Sequence, residues 1–190
     1  MMVFFMRCCR KASLLAAFWL ALAAPFTAQA GGIDVKKATL ATVDNSYILE
    51  AEFDVVLSPT LEEVLNRGVA LYFQMEFELI QSRWYWFNET IADSRQQYRL
   101  SYNALTRQYR IGAGTLYQNF GTLGEALEVM SRVRRREDLE SGTLKKDATY
   151  TAALRLRLDT TQLPKPFQIN ALGSREWNIG SDWYRWTVTP

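Results

Sequence analysis

Paired carboxylates on a single extended segment are the first feature of this sequence with the potential for chemistry. Glu76 and Glu78 stand two residues apart, where apolar and polar residues alternate. Side chains at i and i+2 of a strand point the same way, about 7 Å apart, as in some acid–base pairs. The segment Glu50–Asp54 repeats the pattern. The same alternation describes the solvated face of an amphipathic strand. We favour that interpretation and assign no catalytic residue.

The residue types that serve most hydrolases are missing. The chain contains no histidine, and its two cysteines are the adjacent Cys8 and Cys9. Ser-His-Asp triads are therefore excluded, as are Cys-His dyads, thiol redox chemistry and His- or Cys-based zinc sites beyond the N-terminal segment. Carboxylate chemistry, a Ser-Lys arrangement and an all-oxygen metal site stay open. We expect no cofactor and no metal, and favour a non-enzymatic role.

Two further motifs have an ordinary structural interpretation. Gly112–Gly114 follows a predicted strand, but it lacks the third glycine of a phosphate-binding loop, so we predict a bulge or turn there. The basic run Arg132–Arg136 has the charge to bind an acidic lipid or a phosphate group. We interpret it instead as a solvated helix end, balanced by the acids of Glu137–Glu140.

The sequence is rich in clustered aromatic residues. In the run Arg83–Phe87, strand geometry turns Trp84 and Trp86 to one side, and the other side also carries rings. Trp183 and Trp186 belong to a second cluster near the C-terminus. These four tryptophans are our candidate binding residues. They either fill the core and its covered flank, which we favour, or form a protein-binding surface or a carbohydrate-stacking platform.

Residues 1–30 have the pattern of a cleavable secretory signal peptide. Three basic residues precede the uncharged stretch Ala12–Phe26, and small residues at positions 28 and 30 favour cleavage between Ala30 and Gly31. A helix of about 15 residues spans roughly 22 Å, which is short of the roughly 30 Å hydrocarbon layer. We therefore expect a periplasmic protein with no permanent membrane span. The alternative is an uncleaved N-terminal anchor.

The remaining segment, residues 31–190, is predicted to be a single domain close to electrical neutrality. Of the 22 Lys and Arg residues, three precede residue 31. The segment therefore has 19 basic residues and 20 Asp and Glu residues. This balance gives no support to nucleic-acid binding. The segment has no cysteine, and a domain of this length buries enough surface to fold without disulfides.

Period-two alternation predicts a strand-rich fold. The extended run that contains the aromatic cluster is expected to break near Asp93–Ser94, and Asn103–Thr106 is expected to form a hairpin turn. Pro164 and Pro166 are expected to force an extended connection. The predicted strands are Tyr47–Leu57, Val69–Ile80, Arg83–Tyr102, Gln108–Ile111, Thr149–Leu158 and Trp183–Val188.

Two short helices complete the prediction. Ser58 and Pro59 favour a helix start, with Gly68 at the end, and Thr122 begins a capping-box helix that runs to about Arg135. Strands that do not alternate with helices favour an antiparallel β-sandwich, of which the immunoglobulin-like arrangement is one form. The alternative is an α+β fold with one antiparallel sheet.

Motifs across nearly the whole of residues 31–190 resemble a proteobacterial family of exported proteins, domain of unknown function 4390. The segments that carry this resemblance are Leu71–Phe73, Glu76–Glu78, Arg83–Trp86, Tyr98–Tyr109, Leu163–Pro166, Asn170–Leu172 and Trp183–Trp186. The resemblance implies a Gram-negative envelope setting and a gene neighbourhood that often includes a membrane sensor kinase. It brings no assigned activity and no catalytic residues.

Two hypotheses about function follow. The first is a non-enzymatic periplasmic interaction module, accessory to an envelope or membrane-sensor protein, which uses an aromatic strand face or an unpaired sheet edge. The alternative is a small-ligand or glycan-binding domain with a cleft lined by tryptophan rings and acids at its floor. The sequence does not indicate an oligomeric state.

Overall fold

The computed structural model describes residues 31–44, 46–81, 89–137, 139, 142–145 and 148–189. The strands in this part are β1 Gly32–Val43, β2 Ser46–Val56, β3 Leu71–Gln81, β4 Glu89–Asn103, β5 Gln108–Ala113, β6 Leu116–Phe120, β7 Arg132–Glu137, β8 Tyr150–Leu158 and β9 Tyr184–Val188. The α-helices are α1 Pro59–Asn66, α2 Leu123–Ser131 and α3 Lys165–Ala171, and Thr160–Gln162 forms a 3₁₀ turn. No helix in these ranges is both long and apolar enough to cross a membrane.

The strands form two antiparallel sheets of unequal width. One has the order β1-β2-β7, and the other has the order β6-β5-β4-β3-β8-β9. Apolar side chains from both sheets belong to one continuous core. The fold is therefore mainly β and sandwich-like, as the sequence pattern predicts.

The predicted alternation of β3 is confirmed. Phe73 and Phe77 are fully buried at the centre of the wide sheet, while Gln74 and Glu78 lie on its other face. The register of β3 with β8 places Leu154 opposite Phe77, so the inward positions of both strands contribute to the same core. Period-two burial on neighbouring strands predicts this arrangement because successive side chains point to opposite faces.

The basic run was predicted as a helix end, and this is wrong. Helix α2 ends at Ser131, and Arg132 has extended backbone angles, φ −109° and ψ 104°. Residues 132–137 form β7 and pair with β2 in antiparallel register. In this position Val133 and Glu137 are buried on the inner side. Pairing with an otherwise open edge of β2 and burial of alternate side chains outweigh the helical pattern, as tertiary packing often does.

Two other predictions need correction. The segment around Pro164 and Pro166 contains α3 rather than an extended connection, because a proline in the first helical turn needs no hydrogen-bonded N–H. The described residues therefore contain three α-helices rather than two. Strand β4 continues through Asp93–Ser94, and the irregular step lies at Leu79–Ile80 of its partner β3. Strands β1 and β6 were not predicted.

The predicted helix starts are confirmed. Ser58 Oγ accepts a hydrogen bond from Leu61 N–H at 3.3 Å, and Thr122 Oγ1 accepts one from Glu125 N–H at 3.2 Å. Gly68, with φ +91°, follows the end of α1 in the left-handed conformation that glycine adopts most easily. These signals are local in sequence, so they could be recognised without knowledge of the fold.

Candidate functional site

An open groove of about 420 Å³ lies on the inner side of the wide sheet, next to β7. The narrow sheet ends at β7, so the β4–β6 side of the wide sheet extends past it. Helix α2 forms the remaining wall. The apolar lining is Tyr98, Ile111, Ala113, Leu116, Val129, Met130 and Val133, and the polar lining is Gln96, Gln118, Arg132, Arg134 and Arg135.

The rim of the groove is unusually apolar for a surface. Leu116 on β6 is 74% exposed and Val129 on α2 is 44% exposed. Met130, one position along the helix, is buried and fixes the position of α2 against the sheets. The β5–β6 hairpin reaches over the groove through a two-residue turn that begins at Gly114, whose φ is +60°. Exposed apolar side chains beside an open groove are typical of interaction sites.

Strand β7 brings an unpaired sheet edge to the groove. It pairs with β2 on one side and with no described strand on the other. Two of its three exposed arginines are engaged, because Arg134 forms an ion pair with Glu50 at 3.2 Å and Arg132 with Glu128 at 3.1 Å. Arg135 is half-buried on the inner side with Val133 and Glu137, while the other three arginines of the run are exposed. An unpaired edge offers backbone N–H and C=O groups to an added strand.

A buried polar cluster lies between β7 and β4. Glu137 is 2% exposed, and its Oε2 accepts hydrogen bonds from Ser94 Oγ at 2.6 Å and from Arg135 Nη2 at 3.4 Å. Arg135 Nη1 and Glu137 Oε1 are buried and have no hydrogen-bond partner among the described residues. Burial also raises the pKa of the nearby Tyr98 hydroxyl. Arg135 therefore carries an unused donor beside the groove that it lines.

The outer face of the wide sheet holds a second charged cluster, centred on Glu76. Oε2 accepts a hydrogen bond from Arg155 Nε at 2.5 Å, and Oε1 accepts bonds from Arg157 Nη2 at 2.9 Å and Gln74 Nε2 at 3.0 Å. Burial alone raises the pKa of this carboxyl, but the hydrogen bonds and charges of the two arginines outweigh it and hold the pKa of Glu76 below its ordinary value.

Glu76 therefore corrects one of our interpretations. Its side chain is only 7% exposed, so it is not part of a solvated strand face. It also makes no acid–base pair with Glu78, which stands between Asp93 and Ala153 in the neighbouring strands. A carboxylate held ionised by two arginines is a poor proton donor at neutral pH. The alternation of the sequence located the strand face correctly but did not reveal the basic partners.

The candidate tryptophans are distributed over different places. Trp183 lies on the outer face, where the guanidinium carbon of Arg155 is 4.4 Å from the ring centroid. Trp186 lies on the inner face of β9, with its ring centroid 6.3 Å from that of Phe77. Both rings are partly buried. Trp183 comes directly before the edge strand β9, and Trp186 lies within it. Trp84 and Trp86 lie outside the described residues, so their role as binding residues stays a prediction.

The apolar residues of the groove were not singled out by the sequence analysis, although its arginines belong to the basic run Arg132–Arg136, which was noted for its charge. Leu116 and Val129 belong to ordinary apolar patterns, and their exposure depends on the unequal widths of the sheets. A second local signal was Gly112–Gly114, interpreted as a bulge or turn, and the turn at Gly114 is confirmed.

Comparison with known proteins identifies the family but assigns no activity. Neither a curated protein nor a solved structure matches the chain. A family model described as a domain of unknown function matches residues 30–187, which is most of the chain and includes both sheets and both charged clusters. The chain therefore belongs to the family of the domain of unknown function DUF4390.

Proposed function

We propose that this protein is an exported, non-enzymatic interaction module, and that the groove beside β7 binds an extended segment of an envelope or membrane-sensor protein. The observation that carries the proposal is the juxtaposition of an unpaired strand edge with an apolar groove of about 420 Å³. The volume lies within the roughly 300–1,000 Å³ range of binding pockets. The groove is open along the strand, which suits a chain segment.

The geometry supports binding by strand addition. A segment that pairs with the free edge of β7 satisfies its own backbone groups, and alternate side chains then point into the groove. These side chains meet Ile111, Met130 and Val133, so apolar residues at every second position fit the lining. The guanidinium of Arg135, whose side chain is 23% exposed and lines the groove, favours one carboxylate or amide oxygen among them. The expected partner segment therefore has an apolar residue at every second position, with an acidic or amide residue in place of one of them.

Support for export comes from residues 1–30, whose basic start, uncharged stretch and small residues match a signal peptide. Strand β1 begins at Gly32, so cleavage after Ala30 leaves the described sheets intact. A non-enzymatic role is supported by the chain's lack of histidine and by the engagement of Glu76 with two arginines. The sensor as partner is supported by the gene neighbourhood that the family resemblance implies.

The test places a photo-activated cross-linking residue at Leu116, on the rim of the groove, and in a control at Leu105. Leu105 is 96% exposed in the β4–β5 turn and lies outside the groove. We expect cross-linking in intact cells to join an envelope protein to position 116 but not to position 105. Mass spectrometry then identifies the attached segment, and a synthetic peptide of that segment should bind the purified protein.

The substitution Val129→Arg provides the matching loss of function. Val129 is 44% exposed, so the charge is tolerated by the fold but enters the apolar lining. Peptide affinity should fall by about tenfold or more. Equal cross-linking from positions 105 and 116, or a peptide that binds Val129→Arg as tightly as the unchanged protein, would contradict the proposal.

A further inference from the structure

The outer face of the wide sheet, on the side away from the groove, carries an excess of basic side chains. The register of the strands turns the arginines of β4, β5, β8 and β9 and the acids of β3 and β4 to this side. The basic residues are Arg95, Arg99, Arg110, Arg155, Arg157 and Arg185, and the acidic ones are Glu76, Glu78 and Asp93. Residues 31–190 as a whole are nearly neutral, so this excess is local.

Most of these charges are already engaged with each other. Arg155 and Arg157 bind Glu76, and Arg95 lies 3.6 Å from Asp93. Arg110 donates to the uncharged Asn119. Arg99 and Arg185 are both exposed, and neither has a carboxylate within ion-pair distance among the described residues. Arg99 also lies beside a tyrosine ring. Its guanidinium carbon lies 5.8 Å from the ring centroid of Tyr72.

Arg99 lines a hollow of about 220 Å³ on this face. Two tyrosine rings, Tyr72 and Tyr117, flank the hollow, and Gln97 adds an amide group. Gly112 lies at its floor. A Cβ atom at position 112 would be 2.7 Å from the Tyr117 ring, so glycine is what lets this ring lie directly over β5. Tyr117 is 58% exposed, and its position depends on that glycine rather than on the core.

We propose that this hollow binds an acidic sugar residue of an anionic glycan, with the carboxylate of the sugar against Arg99. A pyranose ring has apolar C–H faces, which suit the tyrosine rings, and hydroxyl groups, which suit Gln97. The planar guanidinium of Arg99 matches a carboxylate with two parallel hydrogen bonds. Arg157 lies on the same face, two strands away and level with Gln97, but it is held by Glu76 and is not part of the proposed site.

A nucleic acid also combines stacking with negative charge, but the observations favour the glycan. Single-stranded nucleic acid binds along a continuous basic groove with successive stacking rings. Here two of the arginines are held by Glu76, and the two flanking tyrosines enclose one hollow of limited volume. The site lies on the opposite side of the sheet from the partner groove, so either proposal can fail without the other.

The experiment titrates the purified protein with trigalacturonate, a chain of three uronic acids, by calorimetry. Maltotriose, a neutral trisaccharide, and a short oligo-thymidylate are measured in parallel. Arg99→Gln removes the charge, and Tyr117→Ala removes an exposed ring without disturbing the core. The matched control is Arg110→Gln, on the same face but outside the hollow. Unfolding temperatures of all variants verify that the fold is kept.

We expect trigalacturonate to bind and maltotriose not to bind. Arg99→Gln and Tyr117→Ala should each weaken binding by about tenfold or more. Arg110→Gln should change it by less than about twofold, because an exposed charge outside the site contributes little. The proposal is overturned by an absence of trigalacturonate binding, by equal binding of maltotriose, by tighter binding of oligo-thymidylate, or by equal weakening in Arg110→Gln.

Discussion

Glu76 shows how one side chain can take a role that its sequence neighbours do not suggest. Its carboxylate lies between Arg155 and Arg157, while Glu78, two positions along the same strand face, forms no ion pair in the described part of the chain. The arginines are 31% and 46% exposed, so solvent screens the pair on one side. Truncating one member of such a cluster leaves the charge of the others unpaired.

We predict that Glu76→Gln lowers the free energy of unfolding by about 2–3 kcal/mol at pH 7, which is below the roughly 3–5 kcal/mol of a fully buried pair because solvent screens the two arginines. The folded-state pKa of Glu76 lies below the ordinary value of 4.5, so its contribution is fully present above that value. It is lost as the pH falls through the folded-state pKa. Urea unfolding from pH 7 down to pH 3 should therefore show the two proteins converging below about pH 4.5.

The control for this prediction is Glu78→Gln, which changes the same residue type on the same strand face. It should alter the stability by less than about 0.5 kcal/mol. A stability difference for Glu76→Gln that is constant down to pH 3 would show that the ion pairs are not its cause.

At the level of elements, the central strand β3 connects the core and the charged outer face. Phe73 and Phe77 are fully buried on one side, while Gln74 and Glu76 join the polar network on the other. A shift of one residue in register would turn the phenylalanines outward and place the carboxylates in the core. The strand is thus held in register by both of its faces, through apolar burial and through the arginines of β8.

We predict that Phe77→Ala lowers the free energy of unfolding by about 3–5 kcal/mol, because a fully buried ring leaves a cavity beside Trp186. Denaturant unfolding followed by tryptophan fluorescence measures the change. The matched control is Glu78→Ala, which truncates a partly exposed residue on the opposite face of the same strand that forms no ion pair in the described part of the chain. If Phe77→Ala changes the denaturant midpoint no more than the control does, the register described here is contradicted.

At the level of the whole molecule, the unequal widths of the two sheets determine which surfaces are available. The narrow sheet ends at β7, so part of the inner face of the wide sheet forms the groove. The outer face of the wide sheet carries the arginines and the tyrosine-lined hollow. The two proposed sites therefore lie on opposite sides of one sheet, and both are compatible with a protein that works in the cell envelope.

We predict that the exported protein begins at Gly31, since small residues at positions 28 and 30 favour cleavage there. The intact mass of protein purified from the periplasmic fraction measures the cleavage position directly. The control replaces Ala28 and Ala30 with bulky residues, which should cause the longer precursor to accumulate. A dominant membrane-bound form that keeps residues 1–30 would support the alternative of an N-terminal anchor.

The strand character of β3 and β8 and the starts of α1 and α2 were predictable from the sequence. Alternation has a period of two residues and reports which side chains share a face, and a cap such as Ser58 satisfies N–H groups only three residues away. These signals act within one element. They therefore do not depend on how the rest of the chain folds.

Only the tertiary structure decided the role of the basic run, the state of Glu76 and the faces of Trp183 and Trp186. Residues 132–137 form a strand because β2 offers an edge 80 to 90 positions earlier, and Glu76 is buried because Arg155 and Arg157 come into register beside it. Trp186 faces the core because β9 pairs it with Ala152 of β8, whereas Trp183 comes before β9 and lies against Arg155 on the outer face. These features depend on strand pairing between distant segments. The residues next to a position in the sequence do not show which residues it will face across the sheet.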